Sequence, residues 1–139
     1  MAVKSFYALS LLAVCGIVSG LPAHIQNKVA QLAPTTTLDS TGRGTIYYQM
    51  GAAGSCGAVH GDGDYIVALG PNYMKGPNSP YCGRRISAKN TSNGKTVTVT
   101  VADTCPTCGP GDIDFALGPW NALTNNASPG VFPLSWHFS

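Results

Sequence analysis

The 139-residue chain contains no glutamate and little charge of either sign: eight lysines and arginines stand against six acidic residues. Any carboxylate chemistry therefore rests on Asp39, Asp62, Asp64, Asp103, Asp112 or Asp114. A formal net charge of +2, thinly scattered, excludes the clustered basic footprint of a nucleic-acid-binding protein. The chain also lacks an apolar run of the roughly 20 residues needed to span a bilayer, so no membrane partner is expected. Histidine is scarce. His24, His60 and His137 form no ligand-spaced pair and offer nothing to complete a zinc site. No cofactor or metal is implied, and no internal repeat points to a solenoid or propeller.

What is present begins with MAVKSFYALSLLAVCGIVSGLPAH. A single cation, Lys4, precedes a nearly uncharged run from Phe6 to Gly20 that ends in small residues. That is the anatomy of a secretory signal peptide over residues 1–20. Residues 21–41, rich in polar residues with a Thr run, read as a leader or flexible arm. Residues 42–139 read as the folded domain, enough for one small core. The expectation is a secreted, extracellular, soluble monomer. Of the five cysteines, Cys15 leaves with the signal, and Cys56, Cys82, Cys105 and Cys108 remain. An even number in an oxidising compartment favours two disulfides. Redox-dithiol and zinc readings of Cys105-Pro106-Thr107-Cys108 compete with this, but the first lacks a βαβ setting and the second lacks companion ligands.

From Gly42 onward, glycine-rich turns separate short β-prone runs: TIYYQM (45–50), YIVAL (65–69), RISAKN (85–90), TVTVTVAD (96–103) and VFPLSWHF (131–138). The fourth alternates Thr and Val with the period of a strand that has one buried face. Asn93-Gly94 before it predicts a hairpin in which these two residues supply the positive φ angles. One helix is predicted within residues 117–126, with Pro119 in its first turn. Many short strands with little helix point to an all-β fold with a small helix, a small barrel. Two sequons occur: Asn90-Thr91-Ser92, which falls on the hairpin and is the candidate glycosylation site, and Asn126-Ala127-Ser128, which Pro129 disfavours.

Taken in order, GTIYY, GSCG, YCGRRISAKNTSNGKTVTVTVADTCPTC, DIDFALGPW and LSWHF resemble the six-stranded double-psi β-barrel of expansin-like proteins, over roughly residues 42–139. Single-domain secreted members of this type in fungi are the loosenins, and the chain is similar to them. The same barrel serves expansins, barwin-type defence proteins, family 45 endoglucanases, rare lipoprotein A and a bacterial papain inhibitor, so the resemblance fixes fold before activity. It implies a shallow groove for a polysaccharide. Val101-Ala102-Asp103 matches one motif of that groove, Ile113-Asp114-Phe115-Ala116 a second, and the family's first-strand threonine falls on Thr45. Asp103 and Asp114 have a simpler alternative role as caps of a turn and a helix. The resemblance further implies the pairing Cys56–Cys82, which leaves Cys105–Cys108.

The departures bear on activity. The endoglucanases carry their general base where this chain has Gln49, and an amide takes no proton from water. Inversion needs a second carboxylate about 6.5–9.5 Å from the acid, and only Asp103 or Asp112 could substitute. Asp112-Ile113-Asp114 also replaces the His-Phe-Asp of plant expansins. The resemblance therefore implies a non-hydrolytic protein that loosens cellulose, chitin or a related glycan. A glycan-cleaving enzyme and a proteinase inhibitor or defence protein are the alternatives. Aromatic faces stack on sugars, and Tyr47, Tyr48 and Tyr81 are the surface candidates, whereas Trp120 and Trp136 read as core. The candidate groove is thus Thr45, Tyr47, Tyr48, Tyr81, Asp103, Asp112 and Asp114. His60 with Asp62 and Asp64 reads as a loop tip, not a metal site.

Overall fold

The structure, a computed structural model, describes residues 38–139. The expected signal segment, and the arm up to residue 37, lie outside the described residues. Six strands close into a barrel: β1 (Ser40–Ile46), β2 (Ile66–Leu69), β3 (Arg85–Asn90), β4 (Thr96–Thr104), β5 (Ile113–Phe115) and β6 (Phe132–Phe138), with one helix, α1 (Leu117–Thr124), between the last two. The order around the barrel is β1-β5-β2-β4-β3-β6. The pairs β1/β5 and β2/β4 run parallel, and the rest are antiparallel.

The first strand differs from the TIYYQM expectation. It begins at Ser40 and ends at Ile46, because Tyr47 and Tyr48 lead into a loop. β5 was not expected from sequence: three residues are too few to show a period. β3 and β4 form the expected hairpin, yet only Gly94 of the Asn93-Gly94 pair has positive φ, at 78°. The connection is longer than a two-residue turn, and Asn90 organises it. The Asn90 Oδ1 accepts from the Ser92 N–H and Oγ, and its Nδ2 donates to the Leu123 carbonyl at 3.0 Å. Asn90 is 4% exposed. That corrects the expected glycosylation site: the amide nitrogen that would carry the glycan is buried against α1.

The core forms where alternation from each strand converges. Val67 and Leu69, Ile86 and Ala88, Val99 and Val101, Ile113 and Phe115, and Leu134 and Trp136 all face inward. Trp120 and Leu123 of α1 close one end against Phe132, with ring centroids of Trp120 and Phe132 5.5 Å apart. Both tryptophans are core residues, as expected, and each indole N–H finds a carbonyl: Trp120 that of Ala127, Trp136 that of Gly111, both at 2.9 Å. Among the described residues no buried side-chain polar atom lacks a partner.

Gly42 and Gly111 meet backbone to backbone. A Cβ on Gly111 would collide with the carbonyl of Thr41, and one on Gly42 with the carbonyl of Gly111. No flexible side chain is there to give way. Gly111→Ala should therefore cost about 1–3 kcal/mol or more, lowering Tm by roughly 5–20 °C for a domain of this size. Gly61→Ala, where an added Cβ meets nothing within 4 Å, is the matched control. Equal thermal unfolding of the two variants would contradict the close approach.

Candidate functional site

The site lies on the outer wall of the barrel, where register assembles residues distant in sequence. Thr45 of β1 pairs with Asp114 of β5, Asp114 pairs with Ala68 of β2, and Ala68 pairs with Asp103 of β4. Partners across a ladder share a face. Asp114 sits between the inward Ile113 and Phe115, and Ala68 between the inward Val67 and Leu69, so this face points away from the core, although Ala68 itself is only 2% exposed. The result is a row of four residues over four strands, spanning about 14 Å at the usual interstrand spacing.

Asp103 joins the row only through an irregularity. Val97, Val99, Val101 and Asp103 share parity in sequence, which in a regular strand would aim Asp103 inward. The β2/β4 register shifts after Val67, so that Val67 opposes Val101 while Ala68 opposes Asp103, with Ala102 the extra residue. Such bulges re-aim side chains beside functional sites.

Each carboxylate has a distinct setting. Asp114 accepts a hydrogen bond from the Thr45 hydroxyl on Oδ1 at 2.7 Å, and no described residue donates to its Oδ2. Burial pushes its pKa above the usual carboxylate range, the Thr45 bond opposes this, and the negative charge of Asp103 adds to it. It does not cap the helix. The residue before α1 is Ala116, which makes no side-chain cap bond. Asp103 does hold a turn: its Oδ1 accepts from the backbone N–H groups of Ser55 and Thr104, both at 2.8 Å. No described residue donates to its Oδ2. Asp112 carries three hydrogen bonds. It accepts from the Arg43 backbone N–H and guanidinium and from the Gly109 N–H, and the Arg43 hydrogen bond holds its pKa below the usual range.

Tyr47 follows Thr45 with the same parity. Burial raises its phenol pKa, a hydrogen bond from Gln49 opposes the rise, and the negative fields of Asp103, Asp114 and Asp62 reinforce it. The phenol oxygen accepts from Gln49 Nε2 at 2.8 Å, and the raised pKa keeps the phenol protonated. Gln49 itself is only 6% exposed, and its backbone N–H donates to Asp62. It braces Tyr47.

A depression of about 260 Å³ adjoins the row, lined by Arg43, Thr45, Ile46, Cys105, Thr107, Cys108, Asp112 and Asp114. That is below the 300–1,000 Å³ of clefts that enclose small molecules and suits a surface over which a polymer passes. Cys105–Cys108 and Cys56–Cys82 are both bonded, with Cα separations of 5.4 and 5.6 Å. The first forms one bank of the depression.

Two of the aromatic candidates stand apart from it. Tyr81 is half-buried in a cluster with Tyr73 and Phe138, its ring stacked on Phe138 at 5.4 Å, and it does not line this depression. Tyr48 is 46% exposed on the loop after β1. Asp62 and Asp64 serve their loop: Asp64 accepts from the Gly61 N–H and contacts His60, and no group of three His, Cys, Asp or Glu poised for a metal occurs among the described residues. Ala68, Arg43 and Ser55 escaped the sequence reading. An alanine within a short apolar strand carries no chemical signal, and the other two act through partners 69 and 48 positions away.

No family model matches the chain. It is 30% identical over 102 residues to the papain inhibitor of Streptomyces mobaraensis, with 70% of each chain covered. The solved Streptomyces papain inhibitor superposes with a TM-score of 0.64 and 27% identity, covering 75% of this chain and 96% of that one. A ripening-related protein of Oryza sativa subsp. japonica is 29% identical over 90 residues, covering 62% of this chain, which spans about half (53%) of that relative. The apo expansin of Clavibacter michiganensis matches with TM-score 0.61 and 28% identity, over 73% of this chain and 50% of that one. An Asp-to-Asn mutant of that expansin, in complex with cellohexaose, matches with TM-score 0.56 and 26% identity, over the same shares. By sequence and by its closed six-stranded barrel, the chain belongs to the expansin-like double-psi β-barrel family.

Proposed function

We propose that this is a secreted protein that binds wall polysaccharide, cellulose, chitin or a related glycan, along the row that carries Thr45, Asp114 and Asp103 and loosens it without hydrolysis. The observation that carries the reading is the row itself: two carboxylates, each with one oxygen already anchored and the other open, on a shallow outer wall. Sugar hydroxyls donate to such oxygens in charge-assisted bonds, roughly twice as strong as neutral ones. Held this way, a chain gives up hydrogen bonds to its neighbours in a packed polymer. The likeness to an expansin solved with cellohexaose supports the choice of ligand class.

Cleavage lacks its usual base. Asp114, its pKa raised, has the character of a general acid. Gln49 occupies the expected base position and is turned to Tyr47. Asp112 is locked to Arg43, and Asp103 is half committed to Ser55 and Thr104. A second reading, inhibition of a cysteine protease, is favoured by the 30% identity to the papain inhibitor. One experiment separates them. The purified protein should be depleted from solution by insoluble cellulose or chitin, release no reducing ends above a buffer blank, and leave papain activity unchanged at equimolar ratio. Dose-dependent sugar release would make it an enzyme, and stoichiometric loss of papain activity without depletion would make it an inhibitor.

A further inference from the structure

The loop between β1 and β2 spends hydrophobic surface in a way the groove does not explain. Between Arg43 and Asp62 the sequence contains no Lys, Arg, Asp or Glu. Within that stretch Tyr48, Met50 and Val59 are 46%, 85% and 64% exposed, and Ala52, Ala53 and Ala58 are exposed around them. Met50 is the outlier. Its φ is 56°, and Gly51 follows at 73°, while the Ala52 N–H donates to the Gln49 carbonyl at 3.1 Å. Residues 49–52 therefore make a tight turn with both central residues left-handed, a conformation that favours Asn-Gly and strains a methionine. Exposure and strain fall on one residue, and strain of this kind concentrates at functional positions.

The loop is rigidly pinned. Ala53 bridges Val59, the Gly54 N–H donates to the Ala58 carbonyl, and Cys56 is tied to Cys82. It is also continuous with the row. The Ser55 N–H holds Asp103, the Cys56 N–H donates to the Ala102 carbonyl, and Gln49 at the foot of the turn braces Tyr47. A preorganised apolar prong beside a hydrogen-bonding row loses little entropy when it docks.

Resting on the polysaccharide reading above, we infer that the prong Tyr48–Val59 docks on the exposed C–H faces of packed sugar rings. The preferred substrate is then the crystalline surface of a β-linked glycan, not a solvated single chain. The row takes hydroxyls along one chain while the prong lies against the ring faces beside it. The absence of cations argues against a membrane surface, where lysines and arginines normally flank the apolar residues.

The test compares the native protein with Met50→Asn and with Met50→Ser/Val59→Ser on crystalline cellulose and crystalline chitin, each beside its amorphous regenerated form. The native protein should favour a crystalline form over its amorphous counterpart. Met50→Asn should raise Tm by about 2–5 °C, because asparagine accepts the left-handed turn, and should still weaken crystalline binding. The double variant should lose crystalline binding about tenfold, with amorphous binding unchanged within about twofold. A merely structural role for Met50 would move stability and binding together. Retention of crystalline preference by the double variant overturns the inference and leaves the polysaccharide reading intact. No depletion of the native protein by any of the four materials overturns both. Inhibition of papain by the native protein that is lost in Met50→Asn would assign the prong to a protease and overturn the inference as well.

Discussion

Asp114→Asn is expected to lower polysaccharide binding and loosening about ten- to hundredfold, the loss of one charge-assisted hydrogen-bond acceptor, while Tm stays the same or rises. The two directions come from one cause. Asp114 is partly buried beside Asp103, and its pKa in the folded protein is raised above its unfolded value. The folded state therefore binds the proton more tightly. Any stabilisation from it is complete below the unfolded pKa and is lost as pH rises through the folded pKa, so ionised Asp114 weighs against folding at neutral pH. Asparagine keeps an oxygen for the Thr45 hydroxyl and removes the charge. It also turns the open acceptor at Oδ2 into a donor, which cannot take a sugar hydroxyl proton. For the native protein, binding should strengthen as pH rises through the raised pKa of Asp114, and the variant should show a flatter profile. Thermal unfolding and the weakening of cellulose paper or wall fibres, measured on the same preparation across pH, decide it. Unchanged loosening in Asp114→Asn would remove this residue from the mechanism.

Replacing both Cys56 and Cys82 by serine should be the most damaging change to the fold. The disulfide closes a sequence separation of 26, worth about 3.5 kcal/mol in the chain-entropy picture, or roughly 15–25 °C of Tm for a domain of this size. It also fastens the Ser55 loop that holds Asp103, so binding should fail with it. The Cys105–Cys108 pair, separated by only 3, contributes about 2 kcal/mol in the same picture. Its serine variant should lose fewer degrees. Because Cys105, Thr107 and Cys108 line the depression beside Asp114, it should lose proportionately more affinity than stability. Melting curves and depletion isotherms on the two variants give that comparison. Equal Tm losses would show that loop length is not what separates the two bonds.

Much of the barrel could be read from residues alone. The Thr-Val alternation of 96–101 and the spacing of Leu134, Trp136 and Phe138 state which side chains face inward, because a strand has a period of two and the core rewards it. The resemblance of the ordered motifs to expansin-like barrels supplied Thr45, Asp103 and Asp114 together with both cysteine pairings, and the structure brings those three polar residues into one row. Where sequence reasoning failed, the deciding contact was distant. Asn90 looked like an exposed hairpin sequon and is instead bonded to Leu123, 33 residues away.

Composition and local pattern by themselves determined that the domain is built mainly of short strands, which side chains form its core, and that its acid chemistry belongs to aspartate. Tertiary structure alone decided which aspartates are usable. Arg43, 69 residues from Asp112, takes that carboxylate out of play, whereas the β2/β4 register shift turns Asp103 from the inward face its parity implied to the outward one. Local pattern fixes the period of a strand, but a single extra residue reverses its facing, and where that residue is absorbed depends on how the neighbouring strand packs.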